Sequence, residues 1–169
     1  MLSESARVTS AAEARFRINE PNSKPRHVKV IALDRVSEVV VKHLAQLRWN
    51  NASFFTASAF AGEPPGQGFS MPGWLSDLAG RTKDLIDEVN SADLVVMVAT
   101  AGENAQAATL IGEACSLKRV NTTGLILGGA SATEAMLSKT LSQLRPWSLM
   151  LVIARGEDYI EDMLIALRA

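Results

Sequence analysis

The sequence predicts an α/β domain in which a parallel sheet is covered by helices on both faces. Three observations predict it. Short apolar runs of strand length recur at 27–33, 52–58, 94–99, 122–127 and 148–154, and runs apolar throughout suit strands buried on both faces. Each run is followed by a segment with apolar residues at helical spacing. Several of those segments open on residues that cap helices.

His27–Leu33 reads as the first strand, and Asp34 is placed to cap the helix after it. In that helix Val36, Val39, Val40, Leu44 and Leu47 share an apolar face, with Glu38, Lys42 and Gln46 opposite. Asn50-Asn51 breaks it, and Ala52–Ser58 reads as the second strand. Residues 59–73 are rich in Gly and Pro and have no period. A loop of that length is either functional or without fixed structure. Phe60, Phe69 and Met71 would anchor it as a flap. Trp74–Asn90 is predicted to be one helix, with Leu75, Leu78, Ala79, Thr82, Leu85, Ile86 and Val89 on one face and Gly80 as a weak point.

The central stretch, Asp93 to Cys115, reads as a buried strand running into a helix, with Thr100 and Glu103 in capping-box spacing. Ala107, Leu110, Ile111, Ala114 and Cys115 give the helix its inner face, and Lys118-Arg119 suit its negative C-terminus. Thr122–Leu127 is the next strand, turned by Gly128-Gly129. Ser131 and Glu134 form a second capping-box spacing before a helix that stops short of Pro146. Ser148–Ala154 is the last strand, and Gly156 leads into a final helix with Ile160, Met163, Leu164 and Leu167 inward.

The expectation is a three-layer, doubly wound, Rossmann-like domain over residues 27–169, with five parallel strands in the order 2-1-3-4-5. Residues 1–26 read as a mobile N-terminal tail. Within it Arg15–Asn19 alternates at period two, as a short edge strand or a segment that pairs with another subunit would.

Composition bounds the function classes. The 169 residues carry a formal net charge of −1, with 47% hydrophobic, 21% charged and 5% aromatic residues. Nucleic-acid binding is disfavoured, although Arg17, Arg26 and Lys29 could form a local basic spot. No apolar run is long enough to span a bilayer, and the first residues lack the pattern of a secretory signal. Cys115, the one cysteine, sits on an apolar helix face, which favours a buried thiol. These features fit a cytoplasmic protein.

The segment Ser91–Leu127 resembles the centre of the tubulin/FtsZ nucleotide-binding domain, in which an Ala-Asp pair precedes a strand, a phosphate loop, a helix and a further strand. The outline extends from Val28 to Ala169 through the order of elements. The resemblance implies a Rossmann-type fold. The family's loop is a near-continuous Gly/Thr run, whereas Gly102–Ala108 holds one glycine and adds Glu103. The glycines expected after the first strand are replaced by Asp34-Arg35-Val36, and the family's activation domain is absent. GTP binding therefore does not follow from it.

In an open α/β sheet the ligand crevice lies beyond the C-terminal strand edges, where the strand order reverses. That reasoning selects Asp34, Thr100, Gly102, Glu103, Asn104, Gly128, Gly129, Ser131 and Arg155 as ligand-binding candidates. No glycine-rich phosphate motif, Walker lysine loop or nucleophile elbow occurs. Asp34, Glu103, Glu134 and Glu157-Asp158 place carboxylates at helix starts, where they would satisfy the N–H groups an anion needs. No catalytic residue, metal site or cofactor is assigned. Asp34 and Glu103 facing each other would be a weak Mg²⁺ site, and His27, His43 and Cys115 form no catalytic pairing. The function expected is a non-catalytic module that self-associates or docks on a protein partner. The alternative is a binding protein or enzyme that holds a nucleotide or metabolite in the crevice under the flap.

Overall fold

The computed structural model describes residues 25–58 and 75–169. The expected tail with its alternating segment 15–19, apart from Pro25 and Arg26, lies outside the described residues, as do the flap and Trp74.

The described residues form a mixed seven-stranded sheet flanked by helices. In chain order the elements are β1 (Val28–Ala32), α1 (Arg35–Ala45), β2 (Ala52–Thr56), β3 (Leu75–Asp77), β4 (Thr82–Lys83), α2 (Leu85–Asn90) and β5 (Leu94–Thr100). Then come α3 (Ala107–Lys118), β6 (Asn121–Leu127), α4 (Glu134–Leu144), a 3₁₀ turn over Arg145–Trp147, β7 (Met150–Ile153) and α5 (Glu157–Ala166).

The sheet order is β4-β3-β2-β1-β5-β6-β7. The strand count and order thus differ from the five-stranded expectation. Strands β2, β1, β5, β6 and β7 are mutually parallel, and β3 and β4 add an antiparallel margin beside β2. β1 is central, with Val30 opposite both Phe54 and Val96. Its five residues are all buried, as continuous apolar runs in a two-sided sheet should be. Helices α2, α3 and α4 cover one face, where Leu85, Ile111 and Leu144 meet Ile31, Met97 and Ile126. Helices α1 and α5 cover the other, where Val41, Leu44, Ile160 and Leu164 meet Val30, Val96 and Leu125.

The two extra strands correct the reading of 74–90 as one helix. Gly80 adopts φ +80 and turns the chain. Asp77 fixes that turn by accepting the N–H groups of Ala79 and Arg81 and pairing with the Arg81 guanidinium at 2.8 Å. The helix is confined to Leu85–Asn90, and Asp84 caps it by accepting from Ile86 and Asp87. A local polar turn overrides the apolar spacing.

The inner face of α1 is also corrected. Ser37, Val41 and Leu44 are buried, whereas Val36 and Val39 are 51% and 68% exposed. The cause lies at its first residue. Asp34 and Ser37 form a capping box, and Asp34 is tied to β5. Ser37 must then face the sheet, and Val41 and Leu44 follow one and two turns later.

Neither of the other capping boxes forms. α3 starts at Ala107 and has no side-chain cap. Thr133, not Ser131, caps α4, and Glu134 is its first residue. Lys29 is not part of a basic surface: it is 9% exposed, its Nζ lies 2.9 Å from Glu88 of α2, and it stands over the Phe55 ring.

Candidate functional site

Asp34 stands two residues past the end of β1 and Thr100 ends β5, so the parallel register places them side by side where the strand order reverses. Asp34 is 4% exposed. Its Oδ1 accepts the N–H of Ser37 at 2.8 Å and the hydroxyl of Thr100 at 3.0 Å, and its Oδ2 accepts the N–H of Thr100 at 2.8 Å. One carboxylate therefore caps α1 and occupies the crevice that topology offers to a ligand.

The loop from Ala101 to Gln106 is satisfied in the same internal way. Gly102 has φ +89, a conformation L side chains rarely adopt. A Cβ there would stand 2.6 Å from the Met136 methyl of α4. Its N–H donates to the Thr140 hydroxyl at 2.9 Å, and the Ala105 N–H donates to the Gln143 side-chain carbonyl at 2.9 Å. Asn104 accepts the N–H of Gln106, and the Glu103 N–H goes to the Thr100 carbonyl. In a phosphate cradle such N–H groups point at the anion. Here α4 and the loop itself take them.

The remaining candidates lie further along the same edge, with Gly128 next to Thr100, whose Cγ2 would be 3.9 Å from an added Cβ. Gly128 turns the chain at φ +73, and its carbonyl accepts the N–H groups of Ser131 and Ala132 and the Ser131 hydroxyl. Gly129 is pressed against Ile153, whose Cγ2 would clash with an added Cβ. Arg155 is exposed and makes no hydrogen bond or ion pair with the described residues. Glu103 is exposed while Asp34 is buried and fully engaged, so the two do not form a cation site. Among the described residues no group of three His, Cys, Asp or Glu side chains is placed to hold a metal ion.

The other chemically active residues form no catalytic grouping among the described residues. His43 Nδ1 lies 2.7 Å from Glu157 Oε2, linking α1 to α5. The backbone N–H of His27 donates to Asp93 Oδ2 at 2.9 Å. Burial pushes the Cys115 thiol up to about 12, so it stays protonated at neutral pH and is a poor nucleophile.

The sequence reading missed one polar cluster. Glu38, assigned to the solvent face of α1, accepts hydrogen bonds from Thr56 and Ser58 at the end of β2 and pairs with Lys42 at 2.6 Å. Burial raises its pKa, but the hydrogen bonds from Lys42, Ser58 and Thr56 and the Lys42 charge outweigh this, leaving it below the ordinary value of 4.5. The cluster borders a surface pocket of about 410 Å³ lined by Arg35, Glu38, Val39, Lys42 and Ser58. The contacts join residues 18 and 20 positions apart. Only the helix–strand pairing brings them together, and no local spacing announces it.

No protein-family model matches the sequence, and no curated protein matches it. Among solved structures, the chain is similar to translation elongation factor SelB from Methanococcus maripaludis in complex with the GTP analogue GppNHp. That match has a TM-score of 0.49 and 10% identity over 84% of this chain and 33% of that one. It is also similar to the apo form of the same factor, with a TM-score of 0.44 and 12% identity over 85% of this chain and 36% of the other. The chain thus spans about a third of the length of either. At this level of likeness no residue role carries across. The resemblance of residues 91–127 to tubulin and FtsZ is not shown by these matches. Among the described residues no helix is long and apolar enough to cross a membrane.

Proposed function

We propose that this chain is a non-catalytic α/β module that works by protein association, either with itself or with a partner protein. The observation that carries this reading is the placement of the Asp34 carboxylate. It fills the switch point and uses both oxygens on Ser37 and Thr100. A ligand anion entering there would meet a buried carboxylate and would have to displace it, which costs the protein a cap and two cross-strand bonds. The N–H groups of Gly102 and Ala105 are likewise already committed. A cytoplasmic setting is part of the proposal.

A thermal-shift screen tests it. Nucleoside triphosphates with Mg²⁺, flavins and dinucleotides are each added at millimolar concentration. A ligand at one hundred times its Kd stabilises by about 2.7 kcal/mol, a rise of roughly 5–10 °C for a domain of this size. No rise is expected. A concentration-dependent rise that Thr100→Ala or Asn104→Ala weakens would overturn the reading and restore the crevice candidates.

The second reading, a small-molecule binder, draws support from a different place. The pocket at Arg35, Lys42 and Ser58 has two cations around one carboxylate, Glu38. A small anionic metabolite suits that chemistry better than it suits the switch point. In the same screen this reading requires a rise that Arg35→Ala or Lys42→Ala abolishes.

A further inference from the structure

We propose that the outer edge of β7 pairs with the same edge of a second copy of this chain, antiparallel and about a two-fold axis. This rests on the association reading above and names both the surface and the partner. β7 ends the sheet, and among the described residues only β6 pairs with it. In a parallel ladder every second residue of an edge strand turns its N–H and C=O away from the neighbour. Those groups are satisfied by water or by another strand.

Natural edge strands are protected from pairing by charge, proline or shortness. β7 is four residues long but carries neither charge nor proline. From Ser148 to Ala154 there is no charged residue and no proline. Leu149, Met150 and Ile153 are 77%, 40% and 43% exposed there. The opposite edge is built differently. β4 has two residues, one of them Lys83. A sheet with one competent edge and one blocked edge closes as a dimer and does not grow into a fibre.

Charge at the strand ends argues for a second copy in this orientation. Before β7 stands the cation Arg145, and after it stand Arg155, Glu157 and Asp158. One end is therefore net positive and the other net negative. Antiparallel pairing sets the Arg145 end of each copy against the acidic end of the other, twice over. Parallel pairing would set like ends together.

Light scattering over a micromolar concentration series tests this on the full chain. Leu149 and Leu117 are both 77% exposed, but Leu117 lies on α3, away from the edge. Wild type and Leu117→Lys are expected at twice the chain mass. Leu149→Lys, which adds a charge to the pairing edge of each copy, should weaken the dimer at least tenfold with an unchanged circular-dichroism spectrum. Met150→Lys repeats the test should Leu149→Lys fold poorly. A monomer for wild type, a mass beyond the dimer, or a dimer indifferent to both β7 substitutions would overturn the proposal. A wild-type monomer with no small-molecule thermal shift removes this dimer alone and leaves docking on another protein. A ligand shift removes the association reading itself.

Discussion

The Thr100 N–H and hydroxyl both end on the Asp34 carboxylate, at 2.8 and 3.0 Å, so a single side chain joins the C-terminal ends of β1 and β5. In many doubly wound sheets that gap holds a ligand. Here the carboxylate serves three purposes at once. It starts α1, sets which face of α1 turns inward, and fills the gap.

Asp34→Ala should therefore cost more than an ordinary cap. A lost cap costs about 1 kcal/mol, and buried hydrogen bonds to a charged group add about 2 kcal/mol. We expect a loss of about 3 kcal/mol, read as a lower urea midpoint at unchanged slope. Thr100→Ala should cost less, and the double variant should cost less than the sum of the two, because they share the same bonds. Additive losses would show that the two residues are not coupled.

Lys29 and Glu88 are 11% and 21% exposed in their side chains and 2.9 Å apart. Removing one partner from a buried pair leaves an uncompensated charge and costs about 3–5 kcal/mol. Glu88→Ala should fall at the lower end, since Glu88 is the more exposed and Lys29 keeps the Phe55 ring. Lys29→Met combined with Glu88→Leu should recover most of the loss, because an apolar pair of similar volume needs no desolvated charge. Chemical denaturation of the three variants reads the difference. A double variant as unstable as Glu88→Ala would contradict this account.

Glu38 links stability to pH. Its folded-state pKa is below 4.5, against the ordinary value in the unfolded chain. A depressed carboxylate stabilises the fold above its unfolded pKa, and the contribution is lost as pH falls through the folded value. Glu38→Gln cannot titrate. The stability difference between wild type and Glu38→Gln should therefore be constant above pH 4.5 and shrink below it. Urea midpoints from pH 7 to pH 3 measure this, and a difference that grows on acidification would mean the Thr56 and Ser58 contacts do not favour the charged form.

The parts of the fold legible in the sequence were those set by long apolar runs. β1, β5 and β6 are fully or nearly fully buried, and their runs mark them as interior parallel strands. The segment 75–90 mimics one helix because Leu75 of β3 is buried along with Leu85 and Val89 of α2. Asp77 with Gly80 breaks it. The face of α1 was misread because valines at helical spacing outnumber Ser37, which faces inward through its hydrogen bonds to Asp34. At the candidate site the Asp34 cap was readable from the residue after a strand. Its second bond, to Thr100, lies 66 residues away and needed the strand pairing. So did the use of Thr140 and Gln143 on the loop at Gly102 and Ala105, each 38 residues distant.

Gly112 offers a test in which two effects have opposite signs. In an exposed helix interior, Gly→Ala stabilises by about 1 kcal/mol. Gly112 lies inside α3 and is buried, and a Cβ there would fall 2.5 Å from the Trp147 Cβ and 2.7 Å from its ring. The near atom is Cβ, so a change of rotamer cannot move it. The backbone of Trp147 is itself held, since its carbonyl accepts the Thr122 hydroxyl at 2.6 Å. Overpacking of this kind costs about 1–3 kcal/mol, which should outweigh the helix-propensity gain. We expect Gly112→Ala to melt lower than wild type by a few degrees, roughly 2–4 °C for each kcal/mol lost. A higher melting temperature would mean that α3 and the 3₁₀ turn separate more easily than these contacts imply. Thr122→Val, which releases the Trp147 carbonyl, should then make the alanine better tolerated.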